Sequence, residues 1–276
     1  KSYKTTSKYR DLHIPVQYAV IVDESHPCGL YSAMSFTAII LAAGKGTRMN
    51  SALPKPLHRV GGHAMLAWSM DAARLAGAER IVTVLAPGSE DIQDWLDGAP
   101  FAIQEDQLGT GNAVASAREA VGNEDGVAIV MFADTPLVSA ASLKQLADGV
   151  KAGAGIVIAG FRPDDPSGYG RLVEDADGTI SRIVEDRECS PAERAIGLCN
   201  GGIMAVSRSS LFTWLDRVTN DNAKGEYYLT DIVAIAQADG AAVRHAVIDE
   251  TEVMGVNDRR DLAVAEAALQ LSLIHI

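Results

Sequence analysis

Residues 38–56, AIILAAGKGTRMNSALPKP, constrain the fold more than any other stretch of this 276-residue chain. Residues 38–43 form an unbroken apolar run with the length and composition of a strand buried on both faces of a parallel sheet. The run stops at Gly44-Lys45-Gly46-Thr47, where two glycines around a lysine make a turn whose backbone N–H groups can point inward at an anion. Cations stand at Lys45, Arg48 and Lys55. The last lies between Pro54 and Pro56, whose fixed φ angles stiffen the arm that carries it. A buried strand, a glycine turn and a stiff basic arm describe a cradle for polyphosphate.

Two better-known phosphate loops do not fit. A Walker A loop needs Ser or Thr directly after Gly-Lys and another Gly five places ahead, where this chain has Gly46 and Ile39. The dinucleotide fingerprint needs a third small residue at the position of Met49, and Lys45 would crowd the pyrophosphate. Taken alone, GKGTR also fits a plain βα turn with solvated lysines.

The remaining motifs decide between these readings. LAAGKGTRM followed by PKPL, then QLGTGNA at 107–113, ADTPL at 133–137, DDPSGYGR at 164–171, IVED at 183–186, CNGGI at 199–203, GEYYLTD at 225–231 and GVND at 255–258 occur in that order. Together, over about residues 36–270, they resemble the sugar nucleotidyltransferases (pyrophosphorylases), and within them the uridylyltransferase domain of the bifunctional bacterial enzyme that makes UDP-N-acetylglucosamine. The resemblance implies a Rossmann-like, doubly wound α/β fold of the nucleotide-diphospho-sugar transferase type, with a mostly parallel, mixed sheet and an antiparallel hairpin over the sugar site. It implies Mg²⁺ as cofactor, and UTP and a sugar 1-phosphate as substrates.

Residue by residue, the resemblance makes Lys45, Arg48 and Lys55 the catalytic cations. Leu41, Ala42, Ala43, Gly44, Gly46, Thr47, Gln104, Gln107, Gly109 and Thr110 then form the UTP site. Ala133, Gly170, Glu185, Asn200, Tyr228 and Thr230 form the sugar site, and Asp134 with Asn257 holds the metal. The side-chain chemistry agrees. Glutamines offer a donor and an acceptor to a pyrimidine edge, a glycine admits a flat base, and a hard carboxylate at a strand end suits Mg²⁺. Read singly, Asp134 is as well explained as a helix cap, Asn257 as a turn residue, Glu185 as solvated surface and Tyr228 as core packing. The family has Tyr-Gly-Asp where this chain has Phe132-Ala133-Asp134, so a phenol is lost and a methyl gained beside the expected sugar. Two other readings share the fold: a nucleotidyltransferase for another sugar or alcohol phosphate, and a non-catalytic nucleotide-sugar-binding module.

The net charge of −12 argues against nucleic acid and anionic membrane surfaces as partners, so a phosphate substrate depends on local cations and a metal. Three cysteines without metal-ligand spacing, Cys28, Cys189 and Cys199, favour a reducing compartment, hence a cytoplasmic location. No apolar run approaches the roughly 20 residues of a membrane span. Residues 1–33 fit poorly with the rest of the chain and read as a non-native or disordered tail, with the nucleotidyltransferase domain at 34–257. A linker helix at 258–270 leads away from the domain, and 271–276 reads as an artificial or disordered end. There is no hexapeptide repeat, so the acetyltransferase half is expected to be absent. The family's trimer contacts lie largely in that half, so these residues set no oligomeric state.

The order of elements follows from periodicity. Helices are expected at 64–77, 90–96, 110–121, 139–151, 209–217 and 228–238, with Ser139 as an N-cap. Strands are expected at 81–85, 101–104, 127–132, 155–161, 201–207 and 241–248. A hairpin turns at Ala176-Asp177-Gly178 between 170–175 and 179–186.

Overall fold

The computed structural model describes residues 35–274, with side chains described to residue 272. The expected tail at 1–33, Cys28 and residues 275–276 lie outside the described residues. The chain begins with β1 (Phe36–Leu41), the small hairpin β2 (Arg59–Val60) and β3 (His63–Ala64), α1 (Met65–Leu75), β4 (Ala78–Leu85), α2 (Glu90–Leu96) and β5 (Phe101–Ile103). Next come α3 (Thr110–Ser116), a single turn α4 (Arg118–Val121), β6 (Val127–Phe132), α5 (Ala140–Lys151) and β7 (Ile156–Phe161). The last third holds β8 (Arg171–Glu174), β9 (Ile180–Val184), α6 (Pro191–Arg194), β10 (Cys199–Ser207), α7 (Arg208–Leu215), α8 (Ile232–Ala238), β11 (Val243–Val247) and α9 (Arg259–Ile274).

The main sheet runs β11-β7-β10-β6-β1-β4-β5, with the β8–β9 hairpin attached through β10. All neighbours along that path are parallel except β10, which is antiparallel to both β6 and β7. This is the mixed, doubly wound sheet that the alternation of segments predicts. β1 is buried at every residue because it sits mid-sheet with a helical layer on each face. Phe36, Ala38 and Ile40 pack with Leu66 and Met70 of α1 and Leu143 and Leu146 of α5. Ile39 and Leu41 point the other way, toward Val114 of α3, Leu211 and Phe212 of α7 and Ile232 of α8. Ser139 caps α5 as expected, accepting the Ser142 N–H at 3.1 Å.

Two expected helices are interrupted. The 110–121 segment breaks at Ala117, whose N–H turns to the Val114 carbonyl as the chain closes α3. The 228–238 segment opens with a 3₁₀ turn, Leu229–Asp231, because the Leu229 N–H is held by Thr110 Oγ1 at 3.0 Å.

The expected linker helix is corrected more substantially. α9 does not lead away from the domain, and it continues past residue 270 to Ile274. Leu262, Ala265 and Leu269 recur at helical spacing and close a third core with Val60, Met65, Trp68 and Val256. The fit is close: a Cβ on Gly61 would stand 2.4 Å from Leu269 Cδ2. A short Ala-rich stripe between charged residues is easily taken for a polar face, which is why the sequence reading set it outside the domain. Leu269→Ala should therefore destabilise the protein by about 2–5 kcal/mol in urea denaturation. A true linker position would change stability by no more than roughly 0.5 kcal/mol.

Strand register determines which loops meet. Leu41 pairs with Val84 and with Phe132, and Leu85 pairs with Ile103, so β1, β4, β5 and β6 end in one row. β10 starts at that same edge, where Cys199 lies opposite Phe161. The segment after β11 joins them through the Val256 N–H, which donates to the Asp134 carbonyl at 2.8 Å. A crevice at the carboxyl edge of the strands is the usual ligand position in such sheets. No helix among the described residues is long and apolar enough to cross a membrane.

Candidate active site

After β1 the chain makes a 3₁₀ turn at Thr47–Met49, entered through Gly46 at φ 58°, and a second one at Lys55–Leu57. The two are fitted to each other. A Cβ on Gly46 would stand 2.6 Å from the Cβ of Lys55, so only glycine lets the lysine stem pass. Lys55 Nζ lies 2.5 Å from Asp134 Oδ2 and donates to Asn257 Oδ1 at 3.1 Å. Arg48 Nη2 donates to that same Asn257 oxygen at 3.1 Å. Four residues singled out in sequence thus form one cluster. Lys45 and Thr47 are exposed at its rim.

Asn257 is placed by the start of α9. Asp258 caps the helix by accepting the N–H groups of Arg260 and Asp261, at 2.8 and 3.0 Å. Asp261 reaches back to accept the Asn257 N–H at 2.8 Å, a reciprocal arrangement like a capping box. The Asp261 N–H holds the Asp258 carboxyl below its usual range, partly opposed by its burial and helped by the Arg260 N–H and the Arg48 charge. Arg259 ties in the basic loop: it donates from Nε to the Met49 carbonyl at 3.0 Å and from Nη2 to the Asn50 carbonyl at 3.1 Å. Helix α9 therefore positions both the Asn257 amide and the loop of cations.

Beside this cluster opens a cleft of about 700 Å³, walled by Gly44, Lys45 and Lys55, by the turn after β4 at Pro87-Gly88-Ser89, and by Gln107 and Leu108. Gln104 is 5% exposed, and its Nε2 donates to the Gly109 carbonyl at 3.0 Å and to Asn112 Oδ1 at 2.8 Å. Both amide hydrogens are used, which leaves Oε1 as the atom free to address a ligand.

Other expected UTP residues act as framework. Gln107 spends its amide on the Ala43 carbonyl at 2.9 Å, and the Ala42 N–H on the Val84 carbonyl at 2.8 Å. Leu41, Ala42 and Ala43 are buried. Gly109, at φ 105°, is required by the approach of Tyr227, whose carbonyl oxygen would lie 2.7 Å from a Cβ. Thr110 Oγ1 and the Gly111 N–H extend that contact to Leu229 and Tyr227. The segment that follows Gln107 and Leu108 is thereby zipped to the one carrying Tyr228 and Thr230.

Gly170 and Asn200 are joined by the Asn200 N–H to the Gly170 carbonyl at 2.8 Å, and Asn200 Oδ1 accepts the Gly202 N–H at 3.0 Å. Thr230 Oγ1 donates to Glu185 Oε1 at 3.4 Å. Tyr228 is half-exposed, with Lys224 5.9 Å from its ring centroid. Ala133 is a correction: at 2% exposure its methyl packs in the core under α5, and its N–H is spent on the Leu41 carbonyl at 3.1 Å. The methyl therefore faces inward, not toward a sugar. Phe132 instead rests against Gly202, where a Cβ would stand 3.0 Å from its ring.

Glu185 is not the solvated side chain that its charged run predicts. Burial raises its carboxyl above the usual glutamate range, and Glu188 adds to this while Lys224 and the Thr230 hydroxyl oppose it. A carboxyl that holds its proton to higher pH when folded contributes stability below the usual glutamate value and loses it as pH rises through the folded value. Glu185→Gln should therefore gain on the wild type in urea midpoint between about pH 4 and pH 7. A difference that does not change with pH would show that this carboxyl carries no burial penalty.

A protein-family profile described as the MobA-like NTP transferase domain matches residues 38–240, most of the chain. The chain belongs to that family. It is 48% identical over 238 residues to the bifunctional protein GlmU of Maricaulis maris (strain MCS10), covering 86% of this chain and 53% of that protein. It is also 46% identical over 246 residues to the bifunctional protein GlmU of Xanthobacter autotrophicus (strain ATCC BAA-1158 / Py2), covering 88% of this chain and 55% of that protein. The chain thus spans about half the length of the curated relatives it matches. Its fold is similar to the crystal structure of UDP-glucose pyrophosphorylase complexed with UDP-glucose, with TM-score 0.70, 18% identity, 86% of this chain and 98% of that chain covered.

In this NTP transferase domain the sequence reading missed three parts. Asn112 lies inside the quoted QLGTGNA motif, and only its bond to Gln104 shows its use. Arg259 and Asp261 follow GVND as ordinary surface charges. The Pro87-Gly88-Ser89 wall had a signal, since it follows a buried strand at the ligand edge of the sheet.

Proposed function

We propose that the domain transfers the uridylyl group of UTP to N-acetylglucosamine 1-phosphate, forming UDP-N-acetylglucosamine and pyrophosphate. The observation that carries the reading is the convergence of Lys55, Arg48, Asp134 and Asn257 beside a cleft lined by Lys45, Lys55 and Gln107. Gly44 supports it: its φ is not in the left-handed region and a Cβ there would meet nothing within 4 Å. Nothing in the protein itself demands glycine at that position, whereas a phosphate close to the backbone does.

A phosphate oxygen of the sugar 1-phosphate attacks the α-phosphorus of UTP, the bond to the β-phosphate oxygen breaks, and pyrophosphate leaves with the bonding electrons. The attacking phosphate is already anionic, so no residue need remove a proton. Lys45 and Arg48 hold the β- and γ-phosphates, and Lys55 meets the charge on the α-phosphate or on the sugar phosphate. Glu185, Asn200 and Thr230 hold the sugar, with Gly170 leaving room beside it.

Among the described residues no three His, Cys, Asp or Glu side chains gather as a metal cage. Asp134 and Asn257 nevertheless both reach one cation, the Lys55 ammonium, and a hard two-oxygen set completed by water and phosphate is what Mg²⁺ takes. When bound there, Mg²⁺ supplies neutralisation of the phosphate oxygens. A cytoplasmic location goes with this reading, since UTP and the reduced state of the buried free thiols Cys189 and Cys199 belong together there.

The test is pyrophosphate release across four nucleotides and several sugar 1-phosphates. UTP should be strongly preferred over CTP. Gln104 Oε1 can accept from the N3–H of uracil, whereas N3 of cytosine is an acceptor and leaves two lone pairs facing each other. An unpaired buried polar group costs about 1–3 kcal/mol, or roughly 5- to 150-fold in kcat/KM. Equal values for the two nucleotides would contradict the assignment of Gln104. Turnover with another sugar phosphate but not N-acetylglucosamine 1-phosphate would move the activity to a neighbouring specificity.

A further inference from the structure

We propose that Lys55 is the resident counter-cation of the Asp134–Asn257 oxygen pair, and that the pair takes a divalent cation readily only after nucleotide phosphates have drawn Lys55 away. Metal and nucleotide would then bind with positive coupling. The inference rests on the nucleotidyltransferase reading of the cleft and concerns what its residues do before substrate arrives.

The Lys55 ammonium already satisfies both oxygens, at 2.5 Å from Asp134 Oδ2 and 3.1 Å from Asn257 Oδ1. The second of these oxygens also accepts from Arg48 at 3.1 Å. Mg²⁺ binds oxygen at about 2.0–2.1 Å, so a metal on Asp134 would share its ligand with an ammonium at nearly contact distance. Two cations on one carboxylate repel, and Lys55 is not free to swing wholly into water. Its side chain is 11% exposed, its stem is pressed against Gly46, and Pro54 and Pro56 limit its backbone. The cleft that it lines offers the exit, because a polyphosphate lying against Gly44 and Lys45 supplies new oxygens for the ammonium. Each ligand then removes a cost from the other, and the linkage is reciprocal.

The experiment is Mn²⁺ binding, read by electron paramagnetic resonance, on nucleotide-free wild type, Lys55→Met, Lys55→Gln and Lys55→Arg. Circular dichroism selects the folded variants, and either neutral substitution suffices. The neutral variants should bind Mn²⁺ about 5- to 150-fold more tightly than wild type, the usual range of coupling between two sites. Lys55→Arg should bind it as weakly as wild type, and Asp134→Asn added to Lys55→Met should abolish the gain. The factor by which Mn²⁺ tightens UTP should also shrink in the neutral variants. Mn²⁺ binding by the neutral variants no tighter than by wild type would overturn the proposal. The readout involves no turnover, so this failure in a protein that releases pyrophosphate would leave the functional reading standing. A gain in Mn²⁺ affinity in a protein that turns over no sugar phosphate would overturn only the activity.

Discussion

Lys55→Ala should lower kcat by about 10²- to 10³-fold, the effect of removing one preorganised charge from a site where charge develops, or about 3–4 kcal/mol. Preorganisation is built into the chain: Gly46 admits the lysine stem, and the flanking prolines limit where the ammonium can go. The same change should leave the fold intact. Asp134 loses its partner but stays 27% exposed, so water screens the carboxylate and the stability loss should not exceed about 1 kcal/mol. UTP affinity should fall only modestly, because Lys45 and Arg48, the cations proposed for the β- and γ-phosphates, remain. Steady-state kinetics with a chemical denaturation control separates these effects. An unchanged kcat with a raised KM would mean that Lys55 contributes uniform binding and not transition-state stabilisation.

Asp134→Asn should be at least as damaging, slowing turnover by about 10³-fold with only partial recovery in excess Mg²⁺. The substitution keeps the shape and one oxygen but removes the negative charge that attracts the cation, and it leaves the part-buried Lys55 ammonium without its anion. The backbone contact that joins this position to the end of the chain, from the Val256 N–H to the Asp134 carbonyl, does not depend on the side chain. Circular dichroism should therefore show a normal fold at the concentrations used for the rate measurement. Near-normal rates without added metal would remove Asp134 from the site.

Local pattern carried the element order. The apolar run at 38–43, the alternation of buried strands with amphipathic helices and the Ser139 cap depend on residues within a few positions of each other, and the structure follows them. The position of Asp134 just past a buried strand was legible for the same reason, since a strand that runs into a polar residue and a proline has nowhere to go but the sheet edge.

Pairings across the sheet were not legible. Lys55 meets Asp134 over 79 positions, Arg48 meets Asn257 over 209, and Arg259 clamps Met49 over 210. Each depends on the register of β6 with β1 and on where α9 docks. Ala133 shows how fine that dependence is: one residue from Asp134, it faces the core because it continues the alternation of β6. Gln107 lines the cleft and Gly109 lies two residues further on, yet what they touch, Ala43 and Tyr227, came only from the packing of distant loops.

The sequence by itself determined a doubly wound α/β domain with a basic glycine turn after its first strand, because hydrophobic period and turn chemistry are short-range properties of the chain. The tertiary structure decided that Lys55 pairs with Asp134, that α9 belongs to the domain and holds the basic arm, and that the Gln104 amide is spent on Gly109 and Asn112. Those are matters of a few ångströms, the first two between segments far apart in sequence, and only the docking of the helices and loops onto the strand edge brings those segments together.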